Sequence, residues 1–120
     1  MGKAFIKEPF GLNRETQELA GNAALPDIEI TKSYTKLSII TAPLSANRTV
    51  KLDPVSADLD VNARLEVLAE ATTGGNKTLT FTDGFEADLA AITITTEKTN
   101  RIMFQFNGSE FELVSNTQLD

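Results

Sequence analysis

The sequence predicts an all-β fold: a small antiparallel β-sandwich, jelly-roll-like, with an extended N-terminal arm. Apolar and polar residues alternate with a period of two through much of residues 76–114, as in strands that bury one face. Asp83-Gly84 and Asn107-Gly108 separate alternating runs, and such pairs favour tight turns. Short runs recur from Asp27 onward at roughly the 8–12-residue spacing of sandwiches and small barrels.

The N-terminal segment, residues 1–26, lacks this alternation. We expect an extended arm, in which Asn13 caps a short helix that ends near Ala20. The alternative is a frayed terminus, but apolar side chains are frequent here, whereas disordered tails are usually poor in them. The arm is therefore expected to dock on its own domain or on a neighbour. The residues that argue for docking are Phe5, Ile6, Phe10, Leu12 and Leu25.

The predicted strands begin at Asp27 and are bounded by turns and prolines. A proline cannot donate to a strand ladder, so Ala42-Pro43 and Asp53-Pro54 are expected to end the strands before them. The predicted organisation is an arm and attachment segment (1–26), a β-sandwich domain (27–116) and a polar tail (117–120). The alternating runs cover residues 28–31, 34–40, 48–52, 62–70, 78–82, 92–95, 101–106 and 110–114.

The last two runs predict a hairpin over residues 101–114. Asn107-Gly108 separates them, and both residue types accept the positive φ of a type I′ turn. Phe85 falls on no apolar face and is expected to be free. The residues predicted to form the core are Ile28, Ile30, Leu37, Val50, Leu65, Val67, Leu79, Phe81, Ile92, Ile102, Phe104, Phe106 and Leu113.

The composition argues against most kinds of catalytic and metal-binding site. The 120 residues contain no cysteine and no histidine, which removes the usual nucleophile–base pairs and the commonest metal ligand. Asp58-Leu59-Asp60-Val61-Asn62 resembles the start of a calcium loop, but Ala63 replaces its glycine and Ala69 its last glutamate. We therefore expect no catalytic residue, no cofactor and no metal.

Charge and hydropathy bear on partners. The net charge is −6 and no basic cluster occurs, so we expect no nucleic-acid partner, since such binding depends on Lys and Arg. No apolar run approaches the roughly 20 residues of a membrane span, so no membrane partner is expected. The N-terminus lacks the apolar core of a secretion signal, which predicts synthesis in the cytoplasm.

Four residues place an apolar side chain on an otherwise polar strand face: Ile40, Leu68, Met103 and Val114. Single exposed apolar residues are ordinary, but four on different strands could merge into one association surface. The alternative is that residues 1–26 of the same chain cover this face.

Residues 74–85 and 98–115 resemble a β module of tailed-bacteriophage virion proteins, which include head fibres, head-decoration proteins and tail fibres. These residues follow the pattern T-x-T-F-x-x-x-F … F-x-F-x-G-x-x-x-x-x-V-S, and residues 47–52 and 63–67 fit the same module. The resemblance covers roughly residues 28–116 and includes no catalytic residue. Phe111 departs from it, because many such modules carry Trp or Tyr there. Crass-like phages are a candidate source.

The resemblance implies a virion structural role and often a homotrimer. A chain of 120 residues without a shaft repeat suits an auxiliary capsid (head decoration) protein, and an acidic domain suits the outer capsid surface. The expected partners are itself, as a trimer, and the major capsid protein or another virion protein, with assembly in the host cytoplasm. A head- or tail-fibre module or receptor-binding tip is the alternative. The expected interface residues are Phe5, Ile6, Phe10, Leu68 and Met103.

Overall fold

The structure is a computed structural model that describes residues 13–119. These residues form strands and turns without a helix, so the all-β prediction is confirmed. The strands are β1 (Arg14–Ala20), β2 (Ile28–Ile30), β3 (Tyr34–Leu44), β4 (Arg48–Val50), β5 (Leu52–Val55), β6 (Arg64–Ala71), β7 (Lys77–Phe81), β8 (Ile92–Ile94), β9 (Thr99–Phe106) and β10 (Phe111–Leu119).

The strands make three sheets. The largest has five strands in the order β1-β3-β6-β9-β10, a second has β4-β7-β8, and β2 pairs with β5. The pairs β1–β3, β3–β6, β2–β5 and β4–β7 are parallel, whereas β6–β9, β9–β10 and β7–β8 are antiparallel. The prediction of predominantly antiparallel pairing is therefore wrong, since the sheets are mixed.

The parallel pairs arise because the chain winds from sheet to sheet. After β3 it passes through β4 in the three-stranded sheet and β5 in the two-stranded sheet, and it then returns as β6 beside β3. Parallel neighbours need a crossover of about a dozen residues or more, and residues 45–63 supply one. Period-two alternation is the same in both kinds of pair, so the sequence pattern could not distinguish them.

Both predicted proline breaks lie within strands. Pro43 belongs to β3, which continues to Leu44, and Pro54 belongs to β5. The β3–β6 register runs regularly to Ile39–Ala69 and resumes only at Leu44. Pro43 therefore occupies a stretch of strand that lacks a regular ladder with β6, where its missing N–H is tolerated.

The helix predicted between Asn13 and Ala20 is wrong, because Arg14–Ala20 forms β1. This strand pairs with β3 in parallel register, with Gln17 opposite Leu37, and buries Leu19. Residues 14–20, which the sequence analysis assigns to the arm, are thus part of the largest sheet. Residues 1–12 lie outside the described residues.

The predicted hairpin is confirmed, but its turn is not type I′. Phe106 pairs with Phe111, so the loop is four residues long, and only Gly108 has a positive φ, at 104°. Asn107 Oδ1 accepts hydrogen bonds from two backbone N–H groups of this loop, at 2.8 and 2.9 Å. After the loop, β10 continues to Leu119, so residues 117–119 extend the sheet where a polar tail was predicted.

One core takes side chains from all three sheets. Every residue predicted for it is buried except Leu113, which is 36% exposed. Phe85, predicted to be free, is buried because its ring packs against Phe81 and Phe104 with centroids 5.1 and 4.8 Å apart. The chain from Gly84 to Glu86 bonds to Phe111, which carries Phe85 into the core although it lies outside a named strand.

Candidate protein interface

The outer face of the five-stranded sheet is the first candidate surface. In the β6–β9 register, Glu66 lies opposite Met103 and Leu68 lies opposite Arg101. Directly opposed residues of an antiparallel pair share a face. Leu68 and Met103 are therefore diagonal neighbours on the face that points away from the core, and both are partly buried.

Glu66 occupies the middle of this face and is only 7% exposed. Its carboxylate accepts a 2.6 Å hydrogen bond from the Tyr34 hydroxyl at Oε1 and a 3.0 Å bond from Arg101 Nε at Oε2. The Arg14 guanidinium lies 4.7 Å from the Tyr34 ring centroid. Both carboxylate oxygens are thus paired, as a buried charge requires.

This environment changes the acidity of Tyr34. Burial raises the pKa of the phenol above its ordinary value of 10.0, and the hydrogen bond to Glu66 and the negative charge of that carboxylate raise it further. Arg14 and Arg101 act in the opposite direction. Tyr34 is therefore a neutral donor at physiological pH, and its bond to Glu66, together with the Glu66–Arg101 pair, links strands β3, β6 and β9.

Further hydrogen bonds surround the apolar pair. Thr99 Oγ1 donates to Glu70 Oε2 at 2.7 Å, and Gln105 Nε2 donates to Asn62 Oδ1 at 2.6 Å. Apolar side chains within a ring of satisfied polar groups are typical of protein–protein interfaces. The arrangement is suited to contact with another protein surface.

The four residues predicted to form one patch lie at two separate places on the surface. Leu68 and Met103 come together, and Ile40 is partly buried on a strand of the same sheet. Val114 is 53% exposed, next to the register shift between Leu113 and Ser115.

Val114 lines a groove of about 330 Å³ with Val61 and Leu113 at the β9–β10 hairpin. Val61 is 59% exposed, and these three are the large exposed hydrophobic residues of the described part of the chain. The sequence pattern does not predict the role of Val61, because this residue lies in a loop where alternation carries no information.

The β10 edge is the second candidate surface. β10 ends the sheet order, and its residues from Glu112 to Gln118 are all exposed. At its beginning, Leu113 N–H donates to Glu86 Oε2 at 2.7 Å. Edge strands are ready templates for further pairing, and this one is open beyond Leu113 among residues 13–119.

Phe5, Ile6 and Phe10 of the predicted interface lie outside the described residues. Within residues 13–119, no group of histidine, cysteine, aspartate or glutamate is arranged to hold a metal ion. That same part of the chain has no helix long and apolar enough to cross a membrane.

Comparisons of the chain with protein families, with curated proteins and with solved structures find no match.

Proposed function

We propose that the protein is a non-enzymatic structural component of a bacteriophage virion, an auxiliary capsid (head decoration) protein that binds the outside of the capsid. The proposal joins the resemblance of residues 74–85 and 98–115 to one structural observation. On the outer sheet face, the apolar pair Leu68 and Met103 lies within a ring of satisfied polar groups, which suits contact with another protein.

Self-association, with a trimer favoured, is part of the proposal. The resemblance is the reason for favouring a trimer, and the outer sheet face supplies a surface at which it could form. Leu68 and Met103 would lie at its centre, with Glu66 and Arg101 beside them. Because Glu66 is paired with Arg101 and accepts a hydrogen bond from Tyr34, covering this face would not leave Glu66 as an unpaired charge.

The proposal includes a sandwich-like packing of the five-stranded sheet on the two smaller sheets. One core shared by all three sheets supports it. It also includes an arm, now limited to residues 1–12, that lays Phe5, Ile6 and Phe10 on a neighbouring subunit or on the major capsid protein. These twelve residues carry two lysines and one glutamate, so their charge is +1 and that of residues 13–120 is −7.

A head- or tail-fibre module or a receptor-binding tip is the second candidate. The groove formed by Val61, Leu113 and Val114 at the hairpin end favours it, because tips bind through loops at one end of a β domain. Phe106 lines that groove, but it is a buried core residue. Carbohydrate sites often present exposed aromatic faces, so decoration remains the preferred function.

Attachment can be tested on capsids from a phage that lacks this gene. The full chain should cosediment with such capsids, whereas the chain shortened to residues 13–120 should remain folded in circular dichroism and stay in the supernatant. Substitution of Phe5, Ile6 and Phe10 by serine should reproduce the loss, with Lys3→Ser and Lys7→Ser as the control. Equal cosedimentation of the full and shortened chains would contradict the role of the arm, and an unfolded shortened chain would assign it to the domain's own core.

A further inference from the structure

The edge strand β10 differs in composition from the opposite edge of the same sheet. Its last seven residues, Leu113–Leu119, contain no charge, no proline and no glycine, whereas β1 carries Arg14, Glu15 and Glu18. Natural edge strands usually carry charges, prolines or bulges that prevent pairing with another chain. In β10 the one register shift lies between Leu113 and Ser115, so residues 115–119 have none of these protections.

The direction of the free backbone groups follows from the neighbouring strand. Phe106 donates its N–H to Ala63 and accepts from Asn62 N–H, both at 2.8 Å, so its backbone groups point toward β6. Alternation along β9 then directs the backbone of Ile102 and Asn100 toward β6 as well. Their opposite residues in β10, Asn116 and Gln118, therefore direct their N–H and C=O groups away from the sheet.

Charge indicates which partner fits this edge. The protein is acidic overall, with a net charge of −6, so two copies repel each other over most approaches. Residues 113–119 form a neutral strip, where the repulsion is smaller than along a charged stretch. The strip is also long enough for a ladder, since Asn116 and Gln118 present two sets of free backbone groups on one side.

We propose that the β10 edge pairs with β10 of a second copy of this chain. The pairing is antiparallel around a two-fold axis at Asn116, and it joins two five-stranded sheets into one ten-stranded sheet. Asn116 exchanges two backbone hydrogen bonds with its counterpart, while Val114 lies opposite Gln118 of the second copy. This contact is separate from the trimer contact proposed at Leu68 and Met103, and it does not depend on a virion role.

The faces of the joined strands support this register. Ser115 lies opposite Thr117 of the second copy, so hydroxyl side chains meet on one face, and within residues 113–119 no like charges are opposed. Residues 112–118 are exposed on both faces of β10, so no part of the described chain has to move before the second copy docks. The interface is small, and we expect a dissociation constant of about 10–500 µM.

The test compares Asn116→Pro with Asn116→Ala by sedimentation equilibrium. Both variants lose the side-chain bond from Asn100 Nδ2 to Asn116 Oδ1, which is 3.2 Å long, but only proline removes the outward N–H. The wild type and the alanine variant should pair through β10 with similar dissociation constants. The dissociation constant of the proline variant should be at least about tenfold higher, because both symmetric bonds are lost. Should Asn116→Pro unfold, Gln118→Pro and Gln118→Ala provide the same comparison near the strand end.

Amide exchange supplies a second readout. The N–H groups of Asn116 and Gln118 should become protected as protein concentration rises, while Ser115 and Thr117, which bond to β9, should be protected at every concentration. A wild type that stays unassociated at about 500 µM would overturn the proposal. Protection of Asn116 that does not depend on concentration would overturn it too, because another part of the same chain would then occupy the edge. Equal association of the proline and alanine variants would have the same consequence.

Discussion

The Tyr34 hydroxyl donates a 2.6 Å hydrogen bond to Oε1 of Glu66, a carboxylate that is 7% exposed on the outer sheet face. The two residues belong to neighbouring parallel strands, β3 and β6, in which Tyr34 pairs with Arg64 and Lys36 pairs with Glu66. The bond therefore runs diagonally across the strand pair. It also links the only tyrosine of the chain to a buried charge, which makes the contact measurable.

Tyrosinate absorbance should report a pKa for Tyr34 above the ordinary 10.0, because burial and Glu66 disfavour the phenolate. Glu66→Gln should lower this pKa, since it removes the negative charge while leaving the ring buried. A folded-state pKa above the unfolded value means that the contribution to the free energy of unfolding is fully present below pH 10 and declines as pH rises through the folded pKa. An unchanged titration in Glu66→Gln would show that Glu66 has no effect on the phenol.

Gly21→Ala should destabilise the fold by at least about 1–3 kcal/mol through overpacking. An added Cβ would lie 2.7 Å from the Leu44 nitrogen and 2.7 Å from the Pro43 carbonyl carbon, and these are backbone atoms that cannot turn aside. Gly74→Ala is the matched control, because its nearest neighbour is 3.8 Å away. Urea unfolding of both variants measures the difference, and equal midpoints would contradict the close packing of Gly21 on β3.

Phe104→Ala should lower the free energy of unfolding by about 3–5 kcal/mol. Phe104 is fully buried, and its ring lies 4.9 Å from that of Phe81 and 4.8 Å from that of Phe85. Val61→Ala, on a side chain that is 59% exposed, should change stability by less than about 0.5 kcal/mol. A similar loss in both variants in thermal or urea unfolding would be incompatible with this core.

Much of the fold could be predicted because alternation reports which face of a strand is buried. It placed Phe104 and Ile102 in the core and Glu66 with Leu68 on the outer face. It could not give strand direction, which depends on the path of the connection between β3 and β6. It failed for Phe85, whose burial comes from a turn that docks on Phe111, and for Leu113, which lies beside the register shift in β10.

The candidate surfaces were only partly predictable for a related reason. Leu68 and Met103 were found as breaks in alternation, and their register across β6 and β9 brings them together. Val61 lies in a loop without periodicity, so its position beside Leu113 required the tertiary structure. The open edge at Asn116 was missed because edge position is a property of the sheet order, which the sequence pattern does not contain.

Leu68→Glu/Met103→Glu should reduce the oligomeric mass measured by light scattering at tens of micromolar, since two added charges would be buried at the proposed contact. The control is Thr49→Glu/Thr93→Glu, which adds the same charge at exposed residues of the three-stranded sheet. A double mutant at Leu68 and Met103 with the wild-type mass would exclude this face from the contact. A wild type that is monomeric at tens of micromolar would exclude the proposed trimer of the free protein.

The most direct test of the proposed function is immunogold electron microscopy on purified virions, with an antibody raised against residues 13–119. Gold is expected on the outer surface of the head in untreated particles, and no gold on particles from a phage that lacks the gene. Gold confined to fibres or to the tail would favour the alternative module. Absence of gold from every virion structure, with the antibody shown to bind the folded protein, would contradict the claim that this chain is a virion component.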